Sequence, residues 1–124
     1  MLKRGFKAML AEANAVIETI SVHDLPYAQE DPDTLVVDVR DTAERESEGM
    51  IPGSLHVSRG MLEFNADPES PVYKDELTQE RRIILYCGSG GRSALAAKTL
   101  MDMGFTDVAS LAGGYAAWRK AQEG

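Results

Sequence analysis

Apolar residues at Phe6, Met9, Leu10, Ala13, Ile17 and Ile20 recur at helical intervals, with Lys7, Glu12, Asn14 and Glu18 between them. That period predicts an amphipathic helix within the N-terminal residues 1–18. Thr19 to Val22 reads as a short edge strand, and His23-Asp24-Leu25-Pro26 opens a short helix or turn before the breaker Asp31-Pro32-Asp33. Leu35-Val36-Val37-Asp38-Val39 is a nearly continuous β-branched run, the pattern of a strand covered on both faces in the middle of a sheet. Asp41 to Glu48 is rich in helix formers and ends at Gly49, a C-cap position; Ile51-Pro52-Gly53 is loop and Leu55-His56-Val57 a brief strand. From Ser58 to Thr78 the pattern weakens: Met61, Leu62 and Phe64 suggest one helical turn, and Pro68 and Pro71 break up the rest of the segment. Arg82 to Cys87 is a second buried strand, succeeded at once by Gly88-Ser89-Gly90-Gly91-Arg92 and by a helix that Gly104 closes. Asp107 to Ser110 forms a last short strand, Gly113-Gly114 a turn, and Tyr115 to Ala121 a closing helix carrying Trp118.

Strands alternating with helices imply right-handed crossovers and an α/β fold: a small parallel sheet with helices on both faces. The 124 residues fit one domain. Ligands of such sheets bind outside the carboxyl ends of the strands, where Asp38-Val39-Arg40 and Cys87-Gly88 both fall, so the two segments are expected to face one crevice.

Composition narrows the function. Apolar residues at 44% and charged residues at 27% are ordinary for a soluble protein able to build its own core. The net charge of −7 repels polyphosphate, and no basic patch offsets it, which argues against nucleic acid as partner. Lys3, Arg4 and Lys7 with Ala13-Asn14-Ala15 after them mimic a secretory leader, but the apolar run between them stops at Glu12, and no segment is long enough to span a bilayer. A cytoplasmic protein without membrane partner is the expectation. One cysteine excludes an intramolecular disulfide, and two distant histidines, His23 and His56, give no metal-ligand spacing. The expected chemistry is thiol-based, with no metal and no cofactor.

Cys87 ends a buried strand and precedes a glycine-rich turn that opens a helix. The first N–H groups of a helix lack partners and carry partial positive charge, so glycines that permit positive φ can curl them around an anion. A thiolate there is stabilised by those groups and by a neighbouring arginine, which lowers its pKa from about 8.5. A lone cysteine is most often a small core residue. Three glycines plus Arg92 leading into a helix exceed what a plain turn needs, and this favours the reactive reading.

Asp38-Val39-Arg40, Gly49-Met50-Ile51-Pro52-Gly53-Ser54, Cys87-Gly88-Ser89-Gly90-Gly91-Arg92 and Gly113-Gly114-Tyr115-Ala116-Ala117-Trp118, in this order and spacing, resemble the rhodanese homology domain. The resemblance runs from about Ile20 to Lys120. It implies a catalytic Cys87 and a substrate-binding loop of Gly88, Ser89, Gly90, Gly91 and Arg92. Members whose loop has six residues from cysteine through arginine, as here, handle sulfane sulfur; related phosphatases and arsenate reductases carry one more. Ser58 to Phe64 is similar to the single-domain polysulfide-sulfurtransferase branch. Two positions depart from the family: Met50 stands where a histidine is usual, and Arg45 where an aromatic is common.

The implied activity is a ping-pong transfer of sulfane sulfur from a small anionic donor, thiosulfate or polysulfide, to cyanide, a thiol or a protein acceptor, through a persulfide on Cys87. Arg92 is expected either to hold the loop by its carbonyls or to attract the donor. Arg40 and Arg59 are candidate anion contacts lining the crevice, against the alternative of pairing with Glu44 or Glu63. Asp38 reads as a loop anchor, and His56, Tyr115 and Trp118 as core. Two rivals remain: a phosphatase or arsenate reductase, and a sulfur-carrier or binding module that serves a protein partner.

Overall fold

The computed structural model describes residues 1–124. Five short strands, β1 (Glu18–Ile20), β2 (Thr34–Asp38), β3 (Leu55–His56), β4 (Arg82–Tyr86) and β5 (Val108–Leu111), form one sheet in the order β1-β5-β4-β2-β3. Every pairing is parallel. The two β-branched runs lie side by side in its interior, Leu35 opposite Ile83 and Asp38 opposite Tyr86, so both carboxyl ends open on the same edge.

Alternation along these strands feeds two cores. Leu35, Val37, Ile83 and Leu85 face a cluster with Leu62 and Ala66 of α4 (Leu62–Ala66) and Ala96, Ala97 and Leu100 of α5 (Gly91–Met103). Val36, Ile84 and Tyr86 face Leu25 of α2 (Leu25–Ala28) and Tyr115 of α6 (Gly114–Glu123). A parallel sheet wrapped on both faces is thus the observed α/β fold.

The N-terminal helix is shorter than expected: α1 spans Phe6–Val16, and Ile17 is already extended at φ −89°, ψ 159°. The β-branched residues just beyond it make more of their bonds in β1, paired with β5 from Glu18 opposite Ala109 to Ile20 opposite Leu111. Of the apolar stripe of α1 itself, Ala13 is buried, whereas Phe6 stays 68% exposed. The expected turn near Met61 is a 3₁₀ turn at Arg59–Met61 running into α4. No helix is long and apolar enough to cross a membrane.

Between β2 and β3, α3 (Thr42–Glu48) stands over the sheet edge and buries no residue. Its place is set by polar contacts, which matter for the site.

Candidate active site

Cys87 is the residue after β4, where the chain leaves the sheet and turns back as α5. Gly90 caps α5 in the left-handed region at φ 113°, a conformation suited to glycine, and this turns the loop's N–H groups inward. The Gly90 N–H donates to Cys87 Sγ at 3.1 Å and the Ser93 N–H at 3.4 Å. Ser93 Oγ lies 3.6 Å from the sulfur and is itself held by Ser110 Oγ at 2.8 Å and the Gly90 carbonyl at 3.2 Å. Burial pushes the Cys87 thiol up; the Ser93 hydroxyl and the N–H groups of Ser93, Gly90 and Ser89 outweigh it and hold the thiol below its ordinary range.

The outward carbonyls are anchored from behind. Tyr115 N–H donates to the Cys87 carbonyl at 2.8 Å and Ala116 N–H to that of Gly88 at 3.1 Å. The approach is so close that a Cβ on Gly114 would meet Cys87 O at 2.5 Å. The Gly113-Gly114 turn, a separate motif in the sequence, is therefore the backing of the loop. With its carbonyls tied to the N-terminus of α6, the loop has its amides left for the sulfur.

Ser93 lies just outside the loop that the sequence motif delimits. Its signal is its place as the third residue of α5, where a helix N–H has no internal partner.

Arg92 points at none of the loop carbonyls. Its guanidinium makes a two-pronged contact with Glu44, Nη1 to Oε1 at 2.7 Å and Nη2 to Oε2 at 2.9 Å. Glu44 is fixed from its own side too, accepting the Asp41 N–H at 3.0 Å as the returning half of a capping box. The Arg92 contact, together with the Asp41 N–H and against slight burial, holds the Glu44 carboxyl down at about 2.

The other two arginines are engaged by partners outside the Cys87 loop. Arg40, expected as an anion contact, is fully buried. Its Nε and Nη2 grip both oxygens of Asp38 at 3.0 and 2.9 Å, Nη2 also donates to the Gly49 carbonyl at 2.7 Å, and the guanidinium lies 4.3 Å from the Tyr115 ring centroid. The physical reason is the β2 end itself: Asp38 is buried there, and an arginine two residues on is the nearest cation able to satisfy both of its oxygens. Asp38 further accepts Arg45 Nη1 at 3.0 Å and Tyr86 Oη at 3.1 Å. Burial raises the Asp38 carboxyl; these partners, Arg40 foremost, bring it below its ordinary value. Arg45 thus replaces the usual aromatic with a bridge, since it also donates to the Ser54 carbonyl at 2.9 Å. Arg59, the other expected anion contact, donates to Glu63 at 3.0 Å and to Thr99 Oγ1 at 3.3 Å. It borders a 230 Å³ hollow with Arg4, Lys98 and Asp102, to which no residue of the Cys87 loop contributes.

His56 is half-buried with Nε2 2.6 Å from the Arg40 carbonyl, consistent with a structural part. No group of three or more His, Cys, Asp or Glu side chains converges on a point that could hold a metal ion.

A parallel sheet that delivers one cysteine into a cradle of main-chain amides defines a class of thiolate-loop proteins. The chain belongs to the rhodanese-like domain family, whose pattern it matches over residues 21–121. It is 36% identical over 118 residues to "Thiosulfate sulfurtransferase 16, chloroplastic" of Arabidopsis thaliana, covering 90% of this chain and 94% of that one. It is 35% identical over 88 residues to a sulfurtransferase of Allochromatium vinosum, covering 71% and 74%. Among solved structures, a Rhodopseudomonas palustris protein described as of unknown function and "Possible Tyrosine Phosphatase" superposes with a TM-score of 0.93 at 47% identity, covering 98% and 94%. The human single-domain sulfurtransferase TSTD1, at 24% identity, shares the fold with a TM-score of 0.74, covering 82% and 95%. The Arabidopsis and Allochromatium relatives support a general role in sulfur transfer.

Proposed function

We propose that the protein carries sulfane sulfur as a persulfide on Cys87, taking it from thiosulfate or polysulfide and passing it to a thiol or cyanide. The observation that carries this reading is the convergence of the Gly90 and Ser93 amides and the Ser93 hydroxyl on one sulfur atom. With thiosulfate, the Cys87 thiolate attacks the outer sulfur, a new S–S bond forms, the donor's S–S bond breaks and sulfite leaves with the electron pair. A thiolate or cyanide then attacks the outer sulfur of the persulfide, and the Cys87 thiolate departs. The amides stabilise the anion at both stages.

Cys87 is only 1% exposed, which suits a small donor whose terminal sulfur alone reaches the thiol. Once formed, the S–S bond of about 2 Å carries the transferable sulfur away from that buried position. The names of the Arabidopsis and Allochromatium relatives support sulfur transfer in general, and the Arabidopsis name includes thiosulfate.

The name given to the Rhodopseudomonas relative favours a second reading, phosphate ester hydrolysis. Two features speak against it. The loop from Cys87 through Arg92 has the six residues of the sulfur-handling members, and Arg92 is engaged by Glu44 rather than free to clamp a tetrahedral oxyanion.

Intact-mass spectrometry after treatment with thiosulfate or polysulfide is expected to show a gain of one sulfur that cyanide removes and that Cys87→Ser abolishes. An unmodified Cys87 with both donors, or turnover of an aryl phosphate in its place, would overturn the reading. If the persulfide forms but neither cyanide nor small thiols discharge it, the acceptor is a protein, which a Cys87→Ser pull-down can capture.

A further inference from the structure

The one guanidinium on the Cys87 loop is matched by a carboxylate. Arg92 and Glu44 come from segments 48 residues apart and meet through two hydrogen bonds, with 42% and 28% of the side chains exposed at the protein surface. The pair lies against the loop itself: a Cβ placed on Gly88 would stand 3.3 Å from Arg92 Nη2 and 3.9 Å from Glu44 Oε2. Arg92 also feels the sulfur: its pKa is raised chiefly by Glu44, against burial, with the charge on Cys87 adding to the effect. The 420 Å³ groove beside Gly88 does not restore a positive field, since its Arg119 and Lys120 are balanced by Glu48 and Glu123.

We propose that Glu44 determines which sulfur donors the loop accepts: by neutralising Arg92 it removes the charge that would draw in a dianion, and so favours singly charged persulfide donors over thiosulfate. The inference rests on the sulfurtransferase reading above. Coulomb attraction scales with ligand charge, so an unmatched guanidinium at the mouth gains twice as much, in logarithmic terms, for thiosulfate as for a monoanion. Neutralising it therefore narrows the advantage of the more highly charged donor. With an alkyl persulfide anion R–S–S⁻, the Cys87 thiolate attacks the outer sulfur, a new S–S bond forms, the donor's own S–S bond breaks and the thiolate RS⁻ leaves with the electron pair, the outer sulfur keeping its charge on the new persulfide. Charge is conserved and no other reactant is required. Glu44 is a positioning residue, acting through Arg92 and not on the reacting sulfur.

Glu44→Gln is the informative variant, because the amide oxygen still accepts the Asp41 N–H and one bond from Arg92, leaving the cap and the loop in place. Steady-state sulfur transfer should be compared at low salt with thiosulfate and with an alkyl hydropersulfide that carries no charge beyond its own persulfide. The expected result is a gain in kcat/KM of about 10-fold for thiosulfate, mostly in KM, against about 3-fold for the hydropersulfide. Raising the ionic strength should erase both gains, and Glu44→Asp, which keeps the charge, should not reproduce them. Equal changes for the two donors, or an unchanged KM for thiosulfate while both proteins still transfer sulfur, would overturn the role of Glu44 and leave the sulfurtransferase reading standing. Failure of the native protein to form a persulfide with either donor would remove both.

Discussion

Sulfur at position 87 sits between two opposed effects: burial favours the neutral thiol, and donors aimed at Sγ favour the thiolate. The donors win because they are fixed by the fold before the charge appears. Ser93 supplies an N–H that donates at 3.4 Å and a hydroxyl 3.6 Å away that accepts from the neutral thiol and turns to donate once the sulfur is ionised. Ser93→Ala keeps the first and removes the second. The variant is expected to shift the alkylation of Cys87 by iodoacetamide to higher pH and to lower kcat/KM for sulfur transfer by about 5-fold at neutral pH. An alkylation profile that does not move would show that the hydroxyl serves packing with Ser110 alone.

At the scale of elements, buried and exposed arginines should behave oppositely. Arg40 ties the end of β2 to Gly49 at the end of α3, and without its guanidinium Asp38 keeps Arg45, Tyr86 and the N–H of residue 40 but loses the charged fork on both oxygens. Arg40→Met is expected to cost about 3 kcal/mol in urea unfolding, the usual cost of stranding one partner of a buried pair. Arg59→Ala, which breaks a half-exposed contact with Glu63, should cost less than about 1 kcal/mol and leave sulfur transfer with thiosulfate unchanged. A thiosulfate KM raised severalfold in Arg59→Ala would return that residue to the substrate path. The turn before α6 offers a third case. Gly114 has φ 59° and no room for a side chain against Cys87 O, so Gly114→Ala should displace the loop and cut activity about 10-fold or more, beyond its loss of stability.

Across the whole molecule, the sheet and the reactive loop were legible because they are local and periodic. β-branched runs marked β2 and β4, and three glycines within four residues after Cys87 marked the turn. What stayed hidden was long-range polar pairing. Glu44 and Arg92 lie 48 positions apart, and the burial of Arg40 depends on Tyr86 and Tyr115 closing over it, partners that hydrophobic patterning does not reveal. The stretch from Ser58 to Thr78 has little regular structure beyond α4, so it had no period to read. These pairings set the pH response. Glu44 is held at about 2 in the folded chain against an ordinary 4.5, and Asp38 is likewise lowered. Stabilisation from a lowered carboxylate is complete above its unfolded value and fades as pH falls toward the folded one. The melting temperature is thus expected to hold steady above about pH 5 and to fall progressively below it, with the gap between the native protein and Glu44→Gln closing as pH approaches about 2. A gap that widens on acidification would contradict the assigned pair.

The most direct test of the ionised, amide-cradled sulfur is the pH dependence of persulfide formation on Cys87 with thiosulfate, whose charge is constant over the range that matters. A cradle that holds the thiolate predicts a rate that rises at lower pH than it would for a thiol of ordinary pKa, about 8.5. A rate that climbs only through that ordinary range, or no persulfide at any pH, would contradict it.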